Sequence, residues 1–374
     1  MKVTKVGVIG IGNMGKEYIL QLDRGQVDGA VLSAVCGRRE EQMEWVKNHT
    51  SSNVQSFVNE DDFFNFSDMD AVIITTPHYS HPDLTIRAFA KGLHVLVEKP
   101  AGVHTKSVAE MNDAAGLSGK VFSIMYNQRT NPLYQKLREL IQSNELGEIK
   151  RTNWIITNWY RSQSYYDSSY WRATWRGEGG GVLMNQSVHQ LDLWQWTTGL
   201  MPKRVHGFCS NGKYHDIEVE DDVTAYVEYE NGATGVFITT TGEAPGTNRF
   251  EITGDRGKIV IENERLRFYR LTTSEREFNA TFKGGFGEPE CWEINIPIKG
   301  ENPGHLGIIR NWVDSIRKGT PLLAPGEEGI KALEILNAVY LSSWLNKPIE
   351  LPLDGDLYVE KLQEKINQSK SKKE

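Results

Sequence analysis

A chain that runs Lys5-Val6-Gly7-Val8-Ile9-Gly10-Ile11-Gly12-Asn13-Met14-Gly15-Lys16-Glu17-Tyr18-Ile19 has few ways to fold. Val6, Val8 and Ile9 make a short β-rich apolar run. It breaks at Gly10, Gly12 and Gly15, and apolar residues then return at helical spacing as Tyr18, Ile19 and Leu22. Strand, tight glycine turn and helix therefore follow in the order of a dinucleotide-binding fingerprint. Gly10 permits the turn, Gly12 lets backbone approach a pyrophosphate, and Gly15 lets the helix pack on the strand. The helix N-terminus brings free N–H groups and the positive end of its dipole to the anion. The cofactor-binding reading thus takes in Gly10, Gly12, Asn13, Met14 and Gly15, against the blander reading of a structural turn.

The rest of residues 3–124 alternates between strands and helices. Ala30–Val35 reads as a second strand, Arg39–Lys47 as a charged helix, and the stretch near Val54–Val58 as a third strand. Asp70–Ile74 is a continuous apolar run of the kind buried on both faces of a parallel sheet. Pro82–Gly92 reads as a helix, His94–Val97 as the fifth strand and Val121–Met125 as the sixth. This predicts a doubly wound parallel sheet over residues 1–125. Beyond it, residues 126–374 are expected to form an α+β domain with an open, mainly antiparallel sheet, serving substrate binding and oligomerisation.

At the end of the second strand, where an NAD enzyme usually places Asp or Glu, the chain has Cys36-Gly37-Arg38-Arg39. Two guanidiniums there could hold a 2′-phosphate, which favours NADP over NAD; the alternative is a pair of solvated first-turn charges. Thr75-Thr76-Pro77-His78 and Glu98-Lys99-Pro100 follow the fourth and fifth strands, at the edge where open α/β sheets bind ligands. Lys99 ends an apolar strand and is fixed by a proline. Beside a nicotinamide cation its ammonium form would be disfavoured, which would lower its pKa towards a useful value. His78 and His81 lack a third ligand nearby, so they read as cofactor-side or helix-start residues and not as a metal site.

These landmarks together resemble the glucose–fructose oxidoreductase / inositol dehydrogenase (Gfo/Idh/MocA) family: Gly10-x-Gly12-x-x-Gly15, Thr75-Thr76-Pro77 with His81, and Glu98-Lys99-Pro100. Asn127-Gln128-Arg129, the Gly179-Gly180-Gly181 helix with His189, and Glu220-Asp221-Asp222 are similar to later landmarks of the same family. The resemblance implies that Lys99 and His189 serve hydride and proton transfer on a sugar or cyclitol hydroxyl. It implies cofactor contacts at Gly37, Arg38, Arg39, Thr76, Pro77, His78, His81, Glu98, Lys99 and Asn127, and a homodimer or homotetramer through the open sheet. One position departs from the commonest pattern: Asn185 stands where an aspartate usually precedes the histidine by four residues. An amide cannot exchange a proton, so it is expected to orient a hydroxyl while His189 does the acid–base work.

Val182–Thr198 reads as one helix on which Asn185, His189, Asp192 and Trp196 share a face. Six of the ten tryptophans lie between Trp154 and Trp196. Most are expected in the core or a subunit interface; the alternative is a sugar pocket, with Arg129, Tyr160, Trp175, Arg176 and Asn185 as substrate contacts and Arg161 and Arg172 as further donors. The acidic run Asp216–Asp222 reads as a solvated lead-in to a strand and not a metal site, and Val223–Tyr229 with Gly235–Thr241 as a hairpin about Asn231-Gly232. Gly304–Arg317 and Glu327–Leu345 read as helices closing the second domain.

Bulk properties narrow the partners. A net charge of −7 argues against nucleic-acid or anionic-membrane binding. Three scattered cysteines, Cys36, Cys209 and Cys291, make no disulfide framework or metal pair and fit a reducing compartment. No apolar run reaches membrane-spanning length and no signal peptide is evident, so the expected place is the cytoplasm and the sequons at Asn48, Asn279 and Asn367 are expected to be unused. The reaction expected is NAD(P)-dependent interconversion of a secondary alcohol and a ketone on a small sugar or cyclitol. Its rivals are a redox-assisted glycosidase with no net cofactor turnover and a cofactor-binding regulatory protein.

Overall fold

The computed structural model describes residues 2–51 and 53–369, which fall into two compact units: residues 1–130 with 303–333, and 131–302 with 334–374. The sequence boundary at residue 125 thus lies close to the first division. The segment 303–333, expected in the second domain, instead clusters with the first unit.

In the first unit β1 (Thr4–Ile9), α1 (Asn13–Asp23), β2 (Ala30–Cys36), α2 (Glu40–His49), β3 (Gln55–Phe57), α3 (Glu60–Asn65), β4 (Ala71–Ile74), α4 (His81–Ala90), β5 (His94–Val97), α5 (Thr105–Ser118) and β6 (Phe122–Ile124) alternate. All strand pairs are parallel, in the order β3-β2-β1-β4-β5-β6. The sequence gives no separate reading for α3 or α5, whose short or weakly periodic patterns are set by packing. The order reverses beside β1, the switch point at which such sheets bind ligands. The apolar runs of β1, β4 and β5 are buried on both faces. Because Ile9 pairs with Ile74 and Ile74 with Val97, the turns beginning at Gly10, Thr75 and Glu98 leave the sheet side by side.

The second unit opens with α6 (Pro132–Gln142), β7 (Ile149–Ile156), α7 (Gln163–Asp167), α8 (Val182–Asn185) and α9 (Val188–Thr198). Then follow β8 (Arg204–Asn211), β9 (Glu220–Glu228), β10 (Thr234–Thr240), β11 (Asn248–Gly254), β12 (Gly257–Glu262), β13 (Arg265–Leu271), α10 (Glu275–Thr281) and β14 (Cys291–Ile296). After α11 (Gly304–Lys318) of the first unit, the chain ends in α12 (Gly329–Leu345), β15 (Ile349–Glu350) and α13 (Gly355–Gln368). The unit boundary falls inside α12. Of the charged C-terminal tail, residues 370–374 lie outside the described residues.

These strands form one nine-stranded sheet, β14-β13-β12-β11-β7-β10-β9-β8-β15, antiparallel except where β10 meets β7. The expected β9–β10 hairpin is present, with Val236 opposite Tyr226. Alternation in β7 turns Thr152, Trp154 and Ile156 inward. Trp154 stacks on Phe250 with ring centroids 4.2 Å apart, and Trp194 of α9 stacks on Phe237 at 5.5 Å. These offset aromatic layers fasten α9 to the sheet.

Candidate active site

Sterics fix the glycine loop. Gly10 has φ +99°, and a Cβ there would stand 2.7 Å from the Thr75 backbone, so no larger residue fits. A Cβ on Gly15 would overlap the Gly10 carbonyl oxygen, which is why α1 can close on the turn. A Cβ on Gly12 would meet nothing within 4 Å: the loop leaves that side open. Gly12 caps α1 with no side-chain hydrogen bond, so side chains leave the helix N-terminus to a ligand. Gln42 Nε2 donates to the Ile11 carbonyl at 2.9 Å and ties this turn to α2. Asn127 is buried, and its Oδ1 has no hydrogen-bond partner among the described residues. An open cradle, an uncapped helix start and an unmet acceptor in one unit fit a bound dinucleotide.

The turns after β4 and β5 are braced from inside. His81 is fully buried, with Nδ1 2.7 Å from the Pro100 carbonyl and Nε2 2.7 Å from the Thr76 carbonyl. Burial lowers its pKa, although both carbonyl contacts oppose this. It therefore joins the Thr76 and Pro100 loops, and the expectation of His81 as a direct cofactor contact is corrected. His78 is also buried, while Thr76, Pro77 and Lys99 are not fully covered. The buried Glu98 carboxylate accepts from the Tyr18 hydroxyl of α1 and, at 3.0 Å, from the Lys99 N–H. Burial first and the Glu98 charge second push the Tyr18 phenol well above its ordinary value. Lys99 thus follows a carboxylate locked to the dinucleotide helix.

Arg129 is corrected as a substrate contact. Its side chain is wholly buried, paired with Glu328, bonded to the Leu323 carbonyl at 3.2 Å and set over the Tyr126 ring at 5.3 Å. A buried guanidinium so matched is a structural tie between residues 126–130 and 323–328. Arg38 at the end of β2 is exposed and bonds Glu60 at 2.6 Å. Arg39 is exposed, its backbone N–H donating to Gln42 at 3.2 Å.

In the second unit the glycine-led helix is two pieces. Ser187 N donates to Val182 O, five residues back, and this wide turn separates α8 from α9. From Gly181 to Thr198 every residue is buried except Asn185 and His189. Asp192 and Trp196, expected on the same face, are inside; Asp192 accepts from Gln195 at 3.0 Å. Sharing a face with His189 at helical spacing thus does not bring Asp192 and Trp196 to the surface.

Around Asn185 lies a polar cluster that periodicity could not reveal. Its Nδ2 donates to the buried Glu178 carboxylate, whose other oxygen accepts the Ala173 N–H at 2.6 Å. The Tyr165 oxygen receives Arg172 at 2.6 Å, Gln186 at 3.0 Å and Asn185 at 3.4 Å. The carboxylate that the sequence lacks at position 185 is therefore supplied as a neighbour by Glu178, seven residues earlier. Tyr160 is 52% exposed. Trp175 is corrected: it is buried against Tyr340 and Trp344, its indole N–H bonded to the Glu218 carbonyl at 3.1 Å. Arg176 points to the Ile366 carbonyl at 3.3 Å from an exposed position.

The acidic run is corrected too. Glu220 and Asp221 are completely buried, not solvated. Glu220 accepts from Gly181 N and Leu183 N, both at 2.9 Å, and from the Tyr340 hydroxyl at 2.7 Å. It is the carboxyl cap that seats the start of α8. Asp221 gathers Lys213 N, Tyr214 N and His215 N at 2.8–3.0 Å and so shapes the loop before β9. Among the described residues no cluster of three or more His, Cys, Asp or Glu has metal-ligand geometry, and no helix is long and apolar enough to cross a membrane.

Comparison with known proteins matches both parts of the chain. Residues 4–126 match the Gfo/Idh/MocA oxidoreductase family's NAD-binding Rossmann fold, and residues 134–260 match the family's C-terminal domain. The chain is 21% identical over 335 residues to the myo-inositol 2-dehydrogenase of Thermotoga maritima, spanning 88% of this chain and 93% of that protein. It is 25% identical over 302 residues to the scyllo-inositol 2-dehydrogenase (NAD(+)) of Bacillus subtilis, spanning 78% and 84%. The structure of the WlbA dehydrogenase from Bordetella pertussis, in complex with NADH and UDP-GlcNAcA, shares the fold with a TM-score of 0.80, covering 95% of this chain and 100% of that one at 24% identity. With a dinucleotide cradle in one unit, a polar window about Asn185 and His189 in the other, and both parts of the family matched in order, this chain belongs to the Gfo/Idh/MocA family of oxidoreductases.

Proposed function

We propose that the protein is an NAD(P)-dependent dehydrogenase that interconverts a secondary alcohol and a ketone on a sugar, sugar derivative or cyclitol. The observation that carries this reading is the window in α8 and α9, where only Asn185 and His189 escape burial between Gly181 and Thr198. A buried helix that exposes one amide and one imidazole offers a hydroxyl group an orienting partner and a proton acceptor. The inositol dehydrogenase names of the relatives support the substrate class. When bound, the nicotinamide supplies the hydride acceptor or donor. Gly10, Gly12, Asn13, Met14 and Gly15 would hold its pyrophosphate, with Thr76, Pro77 and Asn127 alongside.

His189 takes the hydroxyl proton on oxidation and returns it on reduction. Lys99 places a cation where alkoxide charge develops, and charge stabilised only in the transition state raises the rate. Asn185, held by Glu178, orients the reacting hydroxyl without exchanging a proton. The missing acid at the end of β2, with Arg38 and Arg39 following, favours NADP; the Arg38–Glu60 pair weighs towards NAD. We further propose a homodimer or homotetramer, cytoplasmic, joined through the sheet face on which His206, Phe208 and the exposed Tyr226 lie.

The test is cofactor reduction with NAD⁺ and NADP⁺ separately, across aldoses, inositols, sugar acids and glycosides. Turnover should fall roughly 10³-fold in His189→Ala and Lys99→Ala variants, the size expected for loss of a positioned acid–base or charge-stabilising group. Unchanged turnover in both variants would refute the assignment. Release of an aglycone from glycosides without net cofactor reduction would replace it with the redox glycosidase reading.

A further inference from the structure

The end of β2 has no carboxylate in sequence, yet the fold delivers one there from the next strand. β2 and β3 run parallel with Cys36 opposite Phe57, and the Gly37 N–H donates to the Phe57 carbonyl at 3.0 Å. The turn into α3 therefore lies beside the turn into α2. Glu60, the first residue of α3, sets one carboxylate oxygen 2.6 Å from Arg38 Nη2 and the other 2.9 Å from Arg87 Nη1. Arg87 is in turn bonded to Asp61 at 2.6 Å. Asp83 also pairs with Arg87 at 4.0 Å, so carboxylates outnumber guanidiniums in this cluster and Arg38 does not stand as an isolated cation.

The carboxylate stays charged. Burial works against it, but the Arg38 and Arg87 guanidiniums together hold Glu60 below the usual carboxylate range. Its field reaches the last residue of β2: burial above all, with the Glu60 charge behind it, pushes the Cys36 thiol up to about 12. Arg38 remains 79% exposed, so a ligand can reach the pair.

We propose that Glu60 is the residue that sets cofactor specificity, making the protein select NAD over NADP by neutralising Arg38 and fixing a negative charge beside the end of β2. The inference rests on the dinucleotide reading of the glycine loop. A ribose 2′-hydroxyl is a neutral donor and tolerates, or bonds, a carboxylate. A 2′-phosphate is a dianion that must take Arg38 from Glu60 and sit beside the carboxylate it displaces. The acid that many NAD enzymes carry on β2 is here carried on α3. With Glu60 in place, the Arg38–Arg39 pair does not by itself select NADP.

The test is calorimetric titration of the full-length protein with NADH and with NADPH, which reads binding and needs no turnover. Wild type should bind NADH roughly tenfold or more tighter than NADPH, and Glu60→Gln should tighten NADPH roughly tenfold while moving NADH less than about threefold. Glu60→Ser should do the same, and serine is well accepted in a helix first turn. Adding Arg38→Ala to Glu60→Gln should abolish the gain, since Arg38 is the group released. An NADPH-to-NADH ratio that stays put in both folded Glu60 variants would overturn the proposal. So would a wild type that prefers NADPH, a result that requires no variant. If wild type bound neither dinucleotide, the cofactor reading itself would fall and take this inference with it. That outcome is distinct from a failure of specificity alone.

Discussion

The glycine loop of the first unit and the α8–α9 window of the second are both built around helix starts, but by opposite means. In the first, the turn is dictated by three glycines within six residues, and its helix is left uncapped by side chains. In the second, α8 is capped by Glu220, which stands 39 residues from Gly181 in the chain. Its polar window is held by Tyr165 of the short α7 and by Glu178 and Arg172 from the irregular stretch that follows. A site meant for an anion leaves its helix terminus open, because the ligand is the cap. A site that must hold side chains still closes its helix terminus with a buried carboxylate. The difference predicts which site breaks through local geometry and which through distant partners.

The largest effect should come from the distant cap. Glu220→Ala would leave two buried N–H groups and the Tyr340 hydroxyl without their acceptor, a loss of about 4 kcal/mol in unfolding free energy. Denaturant titration measures it, and a loss under about 1 kcal/mol would show that the cap is dispensable. The same residue gives a pH signature. Burial pushes its carboxyl from 4.5 up to about 7, although the bonds from Tyr340, Leu183 and Gly181 oppose the shift. A carboxyl whose folded value is raised stabilises fully below its unfolded pKa of 4.5 and loses that contribution as pH climbs through about 7. The full swing is about 3 kcal/mol. The unfolding free energy of wild type minus that of Glu220→Gln should therefore shrink as pH rises across this window. A difference that is flat with pH would mean that Glu220 is ionised throughout.

The local site should fail by sterics. A Gly15→Ala methyl meets the Gly10 carbonyl oxygen with no flexible side chain to yield. Overpacking of this kind costs about 2 kcal/mol of stability and should weaken dinucleotide binding at least about tenfold. Titration with NADH reads the second effect. Equal affinity in Gly15→Ala would mean that the turn carries no cofactor.

These contrasts explain what was readable in the chain. The doubly wound sheet was legible because each of β1, β4 and β5 announces itself as a local apolar run. The cofactor loop was legible because glycine spacing is itself the geometry. Reading stopped where an interaction links residues far apart in the chain. Arg129 looks like a ligand-binding arginine until Glu328, 199 residues away, is placed beside it. Glu220 and Asp221 look like a solvated acidic run until the N–H groups they satisfy are known. Trp175 is indistinguishable in sequence from a sugar-stacking tryptophan, and only its partners Tyr340 and Trp344 assign it to the core. Helical spacing groups Asn185, His189, Asp192 and Trp196 on one face, but it does not tell that packing covers Asp192 and Trp196 and leaves Asn185 and His189 partly open. Glu178 carries no sequence signal at all.

Tyr18 joins the two kinds of information and supplies the smallest test. Its place on α1 follows from helical spacing, but its partner, Glu98, lies 80 residues on in the chain. Tyr18→Phe keeps the ring and its packing and removes only the hydroxyl. The buried Glu98 carboxylate then retains the Lys99 N–H at 3.0 Å but loses its side-chain donor. A hydrogen bond to a charged group contributes about 1.5 kcal/mol, so the denaturation midpoint should fall by the equivalent amount. NADH affinity should stay within about twofold, because Tyr18 supports the lysine turn and not the glycine loop. Turnover should fall more than cofactor binding does. If instead cofactor affinity fell and turnover per bound enzyme did not, Tyr18 would belong to the dinucleotide loop, and the contrast between a locally built cradle and a remotely braced lysine would fail.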